Sequence, residues 1–101
     1  MLAEQPDAPD ATLNLALALW RLGRDEEAHA RLLTLLALHP QHVPALNRLA
    51  EMAWSACERG SATACDEVVK WCRRSLDCDP EQPAVQELLD SAAARTPRNP
   101  R

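Results

Sequence analysis

The side chains able to do chemistry are few, and they do not converge. Histidine stands at 29, 39 and 42. A metal needs three or four His, Cys, Asp or Glu ligands at set spacing, and no cysteine or carboxylate cluster accompanies His29, His39 and His42 in that way. The four cysteines, Cys57, Cys65, Cys72 and Cys78, contain no C-x-x-C pair, the spacing of the common zinc and redox motifs. Their expected state is reduced thiols on helices. Cys57 and Cys65 flank a turn and are the pair placed for the alternative, a disulfide. The acidic run Asp25-Glu26-Glu27 reads as the favourably charged start of a helix. No two carboxylates sit in an apolar stretch that would push their pKa values apart for acid–base work. Gly23 and Gly60 are the only glycines, too few for a loop that cradles phosphate. The chain therefore reads as a non-enzyme with no cofactor and no metal.

Such side chains would have to be carried by a small frame. The 101 residues make one domain at most, and a chain this short buries only about two-thirds of its unfolded surface. Leu and Ala dominate, Phe and Tyr are absent, and β-branched residues are scarce. That composition favours helix throughout and gives almost no strand signal. A formal net charge of -4 with interspersed signs argues against nucleic acid, which needs a basic stripe. No apolar run approaches the roughly 20 residues of a membrane span. Residues 1–10 lack the basic start and apolar stretch of a signal peptide. The expected location is cytoplasmic, in a whole protein or a segment of a larger one.

Five helices are expected. Residues 1–8 form a flexible lead-in. Pro9 suits the first turn of helix one, which runs to about Leu22 with Leu15, Ala16, Leu19 and Leu22 on its packing face. Gly23 ends it in a left-handed turn. Asp25 is the expected N-cap of helix two, whose inner stripe is Ala28, Leu32, Leu35 and Leu36 and which stops at Pro40. Helix three starts near Pro44 and reaches Cys57 or Arg59 before Gly60. Ser61 or Thr63 caps helix four, with Val68, Val69, Cys72 and Leu76 apolar, and Pro80 stops it. Helix five begins at Pro83 with Val85, Leu88, Leu89 and Ala92 apolar. Standing without a following partner helix, it reads as a cap over the helices before it. Residues 96–101 form a disordered tail.

The pattern repeats. Pro9 to Trp20 lies over Val43 to Trp54, so that Leu15-Ala16 falls on Leu49-Ala50 and Trp20 on Trp54. The first copy supplies an apolar–small pair Leu15-Ala16, Gly23 at the turn, Ala28 early in the second helix, Leu32 one turn on, and Pro40 at the end. Here the chain resembles the tetratricopeptide repeat family, a helix–turn–helix unit of 34 residues. The resemblance implies an all-α, right-handed stack of antiparallel helix pairs: repeat one over 9–42, a longer repeat two over 43–80, and a capping helix over 83–95, together a repeat domain over 9–95. Repeat two departs from the pattern, with Val68 where the small Ala belongs and Cys72 for the large apolar residue. Its six extra residues are expected in helix three or in its turn around Arg59 to Ala62.

The resemblance also implies a function: a protein-interaction scaffold whose first helices line a concave face that holds a partner peptide or helix. The residues on that line are Leu13, Asn14, Leu17, Trp20 and Arg21 in repeat one, and Asn47, Arg48, Glu51 and Trp54 in repeat two. Leu13, Leu17 and Trp20 fall at i, i+4 and i+7, a stripe separate from Leu15, Ala16 and Leu19. Trp20 and Trp54 read equally as groove anchors or as core residues. Trp71 falls off this line and is expected to be partly exposed. Leu13 and Leu17 stand where one subgroup of the family carries a carboxylate-clamping Lys and Asn, so an apolar or amphipathic segment is the favoured partner. The competing readings are a homo-oligomer built on the same residues and a small chaperone-like adaptor.

Overall fold

A computed structural model describes residues 9–95; the lead-in at 1–8 and the tail at 96–101 lie outside the described residues. Among the described residues there are five α-helices and no strand: α1 (Pro9–Arg21), α2 (Asp25–Leu38), α3 (Val43–Glu58), α4 (Ala62–Cys78) and α5 (Pro83–Arg95). They fall into two compact units, one running to Ala45 and the other from Leu46 onward.

In the first unit, α1 packs against α2. The buried side chains are Ala16 and Leu19 on α1 and Ala28, Leu32, Leu35 and Leu36 on α2. Small Ala16 and Ala28 let the backbones approach, and the leucines fill the space beside them. Leu15 and Leu22, expected on this packing face, are instead 43% and 70% exposed. Leu15 lies about 100° around the helix from Ala16, on a side that stays uncovered in α1, whereas its counterpart Leu49 beside Ala50 is buried. The N-cap of α2 is Arg24, with no side-chain cap bond, and Asp25 is the first helical residue. The expected cap is therefore displaced by one position, while the acidic first turn still meets the helix dipole.

The second unit contains most of α3 with α4 and α5, and α4 packs against α5. Leu46, Leu49, Ala50 and Cys57 are buried along α3, and Cys65, Val68, Trp71, Cys72 and Ser75 along α4. Trp71 is only 5% exposed, contrary to the expectation of a partly exposed ring. It lies three residues after Val68 and four before Ser75, on the same buried face of α4. Lys70 Nζ lies 4.5 Å and Arg74 Cζ 5.2 Å from the ring centroid, so cations lie over the indole face.

Both hairpin turns use one backbone device. Gly23 and Gly60 have positive φ. The following residue's N–H reaches five residues back, Arg24 to Leu19 O and Ser61 to Ala56 O, and each glycine N–H reaches three back, to Trp20 O and Cys57 O. This paired arrangement closes a helix C-terminus around a left-handed residue. Ser61 then caps α4, its Oγ accepting from Ala64 N at 3.2 Å. The extra length of the second repeat lies in neither the turn nor α3 alone. α3 has 16 residues against 13 in α1, and α4 has 17 against 14 in α2. Each arm is longer by just under one helical turn.

Candidate functional site

The nine residues expected to face a partner divide between the two units. On α1, Leu13, Leu17 and Trp20 are half-buried and Asn14 and Arg21 exposed. No polar side chain interrupts the Leu13–Leu17–Trp20 stripe, and Asn14 and Arg21 flank it on one side. Trp20 is thus neither enclosed core nor fully open anchor.

In the second unit the expected residues are drawn into contacts within the chain. Asn47 Nδ2 donates to Gln82 Oε1 (2.9 Å), Gln82 Nε2 donates to Ser75 Oγ (2.9 Å), and Ser75 Oγ donates to Asn47 Oδ1 (2.5 Å). The three side chains close a ring in which each donates to the next, an arrangement that strengthens every member. The other N–H of Gln82 Nε2 donates to Asp79 O (2.8 Å), a carbonyl just past the end of α4, with Ser75 O, already bonded by Asp79 N–H, 3.2 Å away. Ser75, at the centre, is completely buried. Arg48 pairs with Glu51 at 2.6 Å, while its Nε is buried without a hydrogen-bond partner. Trp54 is half-buried and carries the Arg95 guanidinium 5.2 Å from its ring centroid.

Beside this ring lies a cleft of about 250 Å³ between α3 and the start of α5. Asn47, Ala50 and Glu51 form one wall; Pro83, Ala84, Val85 and Leu88 form the other, with Gln82 at its end. The amides of Asn47 and Gln82 are committed to the ring, which leaves Glu51 on the rim and otherwise apolar surface. Such a cleft suits a hydrophobic side chain better than a charged one. Sequence reasoning missed Gln82 and Val85, since a glutamine before a proline carries no signature of a long-range bond.

The chemistry-bearing residues remain dispersed. Among the described residues no group of three or more His, Cys, Asp or Glu is arranged to hold a metal ion. His42 Nδ1 accepts from Ala45 N at 3.3 Å and so serves the start of α3. The cysteines depart from the expected reduced state: Cys57 and Cys65 form a disulfide across the Gly60 turn, and Cys72 and Cys78 are free. Counted from the turn glycines, Cys65 occupies the place of Ala28, five residues on, and both are buried. This sets the register of the second hairpin: Cys65, and not Val68, stands where the small residue belongs. Burial also pushes the Cys72 thiol up to about 11, so it stays protonated and unreactive at neutral pH. A disulfide persists mainly in oxidising compartments, which pulls against the cytoplasmic location expected from the sequence. No described helix is long and apolar enough to cross a membrane.

A family model described as tetratricopeptide repeat matches residues 1–53, slightly more than half of the chain. No curated protein and no solved structure matches it.

Proposed function

The chain belongs to the tetratricopeptide repeat family, whose repeats generally mediate protein–protein interaction and are generally non-catalytic, and from that premise we propose that it is a scaffold module holding an apolar or amphipathic segment of a partner protein. The α3–α5 cleft carries the reading. Its polar groups are already bonded to one another, its remaining lining is Ala50, Pro83, Ala84, Val85 and Leu88, and the closed ring beneath it holds the walls in place before any ligand arrives. Preorganisation of this kind lowers the ordering cost of binding. The half-exposed stripe Leu13, Leu17 and Trp20 offers a second apolar contact line in the first unit, on the first helix of a repeat, where the family binds its partners.

Selection from a random peptide library on the immobilised chain tests this. The expected winners carry apolar residues at i, i+3 and i+4 or in short extended runs. Leu88→Glu should weaken the selected peptides at least about tenfold with circular dichroism and melting temperature unchanged. Absence of any peptide binding at high micromolar concentration, or binding indifferent to both Leu88→Glu and Trp20→Ala, overturns the proposal.

A further inference from the structure

The exposed side of α1 is also apolar, and it is not the side just described. Ala11, Leu15, Ala18 and Leu22 are all exposed, although Leu22 N still bonds Ala18 O and so continues the helical path. At about 100° per residue, these four lie within roughly 60° of one another, on the side of the helix away from Leu13, Leu17 and Trp20. Their spacing of four, three and four residues is that of a helix–helix seam. The large and small residues alternate strictly, Ala-Leu-Ala-Leu.

That order is self-complementary in one orientation only. If a second α1 runs antiparallel about a two-fold axis between positions 15 and 18, Leu15 meets the other copy's Ala18, and Leu22 meets its Ala11. Every layer then holds one large and one small side chain. A parallel pair would set leucine on leucine and alanine on alanine, crowding alternate layers and leaving voids between them. The antiparallel pair also sets Arg21 of one copy level with Thr12 of the other, two residues from both its exposed Asn14 and its exposed Asp10 on the same flank, so no like charges meet. A closed two-fold contact of this kind requires residue i to meet j and j to meet i.

We infer that the outer stripe Ala11–Leu15–Ala18–Leu22 is a self-association surface and that its occupant is the same stripe of a second copy of this chain, paired antiparallel. The contact is one short helix against another, below the area of a standard stable interface, so the dimer is weak. This surface is separate from the partner-binding stripe and cleft, and failure of either reading leaves the other standing.

Sedimentation equilibrium of the full chain tests it. The 11.2 kDa chain should approach twice its mass at several hundred micromolar and return to monomer near about 10 µM, as a weak interface requires. Leu15→Glu, at a site already exposed in the single chain, should abolish the dimer with helicity and melting temperature unchanged. Leu15→Ala alone should weaken the dimer by leaving a void, and Ala18→Leu alone by overfilling a layer. The double variant Leu15→Ala with Ala18→Leu exchanges large for small within the same layers and should restore the dissociation constant to within about threefold of the original. A chain monomeric at several hundred micromolar overturns the inference. So does a dimer that survives Leu15→Glu, or a double variant no tighter than its two parents. A monomer that Leu15→Glu destabilises means that the chain's own residues cover the stripe, and this too excludes the second copy.

Discussion

Both hairpins close with a glycine at positive φ and the same pair of backbone bonds, and five residues after each glycine a small buried side chain meets the preceding helix. In the first hairpin that residue is Ala28, and α1 and α2 are held by leucine and alanine packing. In the second it is Cys65, bonded to Cys57, and the longer arms α3 and α4 are tied again at the far end by the ring of Asn47, Ser75 and Gln82. Packing of this kind weakens per residue when an arm lengthens without adding large apolar side chains. α4 buries Cys65, Val68, Trp71, Cys72 and Ser75 where α2 buries Ala28, Leu32, Leu35 and Leu36, and its last three residues, Leu76 to Cys78, add none. The second hairpin makes up with one covalent bond and one closed hydrogen-bond ring what the first obtains from Leu32, Leu35 and Leu36.

The largest test of that contrast removes the covalent bond. Cys57→Ala with Cys65→Ala releases a short loop, and such a crosslink contributes about 2–3 kcal/mol. Hydrogen exchange should accelerate around the Gly60 turn, at the end of α3 and the start of α4, while α1 and α2 keep their protection. Uniform acceleration in both hairpins would show that the disulfide supports the whole chain and would dissolve the distinction between the units.

Next comes the ring. Gln82→Ala leaves Asn47 Nδ2 and the buried Ser75 Oγ short of partners and frees the Asp79 carbonyl just past the end of α4, a loss of about 1–3 kcal/mol. Chemical denaturation measures it. A loss well under that range would mean that water takes over the bonds and that the ring does not fix the cleft. Since Gln82 also borders the cleft, peptide affinity should fall with it, whereas the disulfide variant should leave affinity nearly intact.

These differences explain how much could be read from the sequence. The five helices and their boundaries follow from periodicity, Pro9, Pro83 and the two glycines, because each acts within a few residues of itself. The first hairpin matches its family pattern almost residue by residue. The second was harder because its special contacts join residues 28 or 35 positions apart, and short-range pattern carries no trace of a glutamine that reaches a serine and an asparagine. Trp71 was misplaced because lying off the concave line was taken to mean partial exposure, whereas it shares the buried face of α4 with Val68 and Ser75. Leu15 was misplaced because Leu15-Ala16 was read as sharing the packing side of α1; the equivalent pair Leu49-Ala50 is buried at both positions, so what differs is whether a neighbour covers that side of the helix, which local pattern does not report.

A smaller effect separates the two free thiols of the second unit. The Cys72 thiol is raised to about 11 by burial, against an unfolded value near 9.0. Between those values the unfolded chain has lost the proton and the native chain has kept it, so stability falls as pH rises. The thiol contributes no pH dependence below about pH 8 and about 1 kcal/mol of loss by pH 10. Comparing denaturation midpoints of the chain and Cys72→Ala at pH 8 and pH 10 isolates that slope. Iodoacetamide at pH 8 should label exposed Cys78 and spare Cys72; rapid labelling of both would mean that α4 opens readily and that the second hairpin is not the tightly held one.

The smallest effects concern two ion pairs between residues three apart in sequence: Arg24 with Glu27 at 3.0 Å in the first unit and Arg48 with Glu51 at 2.6 Å in the second. Both are substantially exposed, and such pairs contribute about 0–1 kcal/mol. Arg24→Ala should cost a few tenths at most. Arg48→Ala should cost less still, because it also removes a buried Nε with no partner, and relief from that unmet donor offsets the lost pair. The shorter distance therefore marks the weaker contribution. If Arg48→Ala instead destabilised the chain by more than Arg24→Ala, its aliphatic stem would be part of the packing of α3, and the second unit would depend on its charged residues for shape as well as on its disulfide and ring.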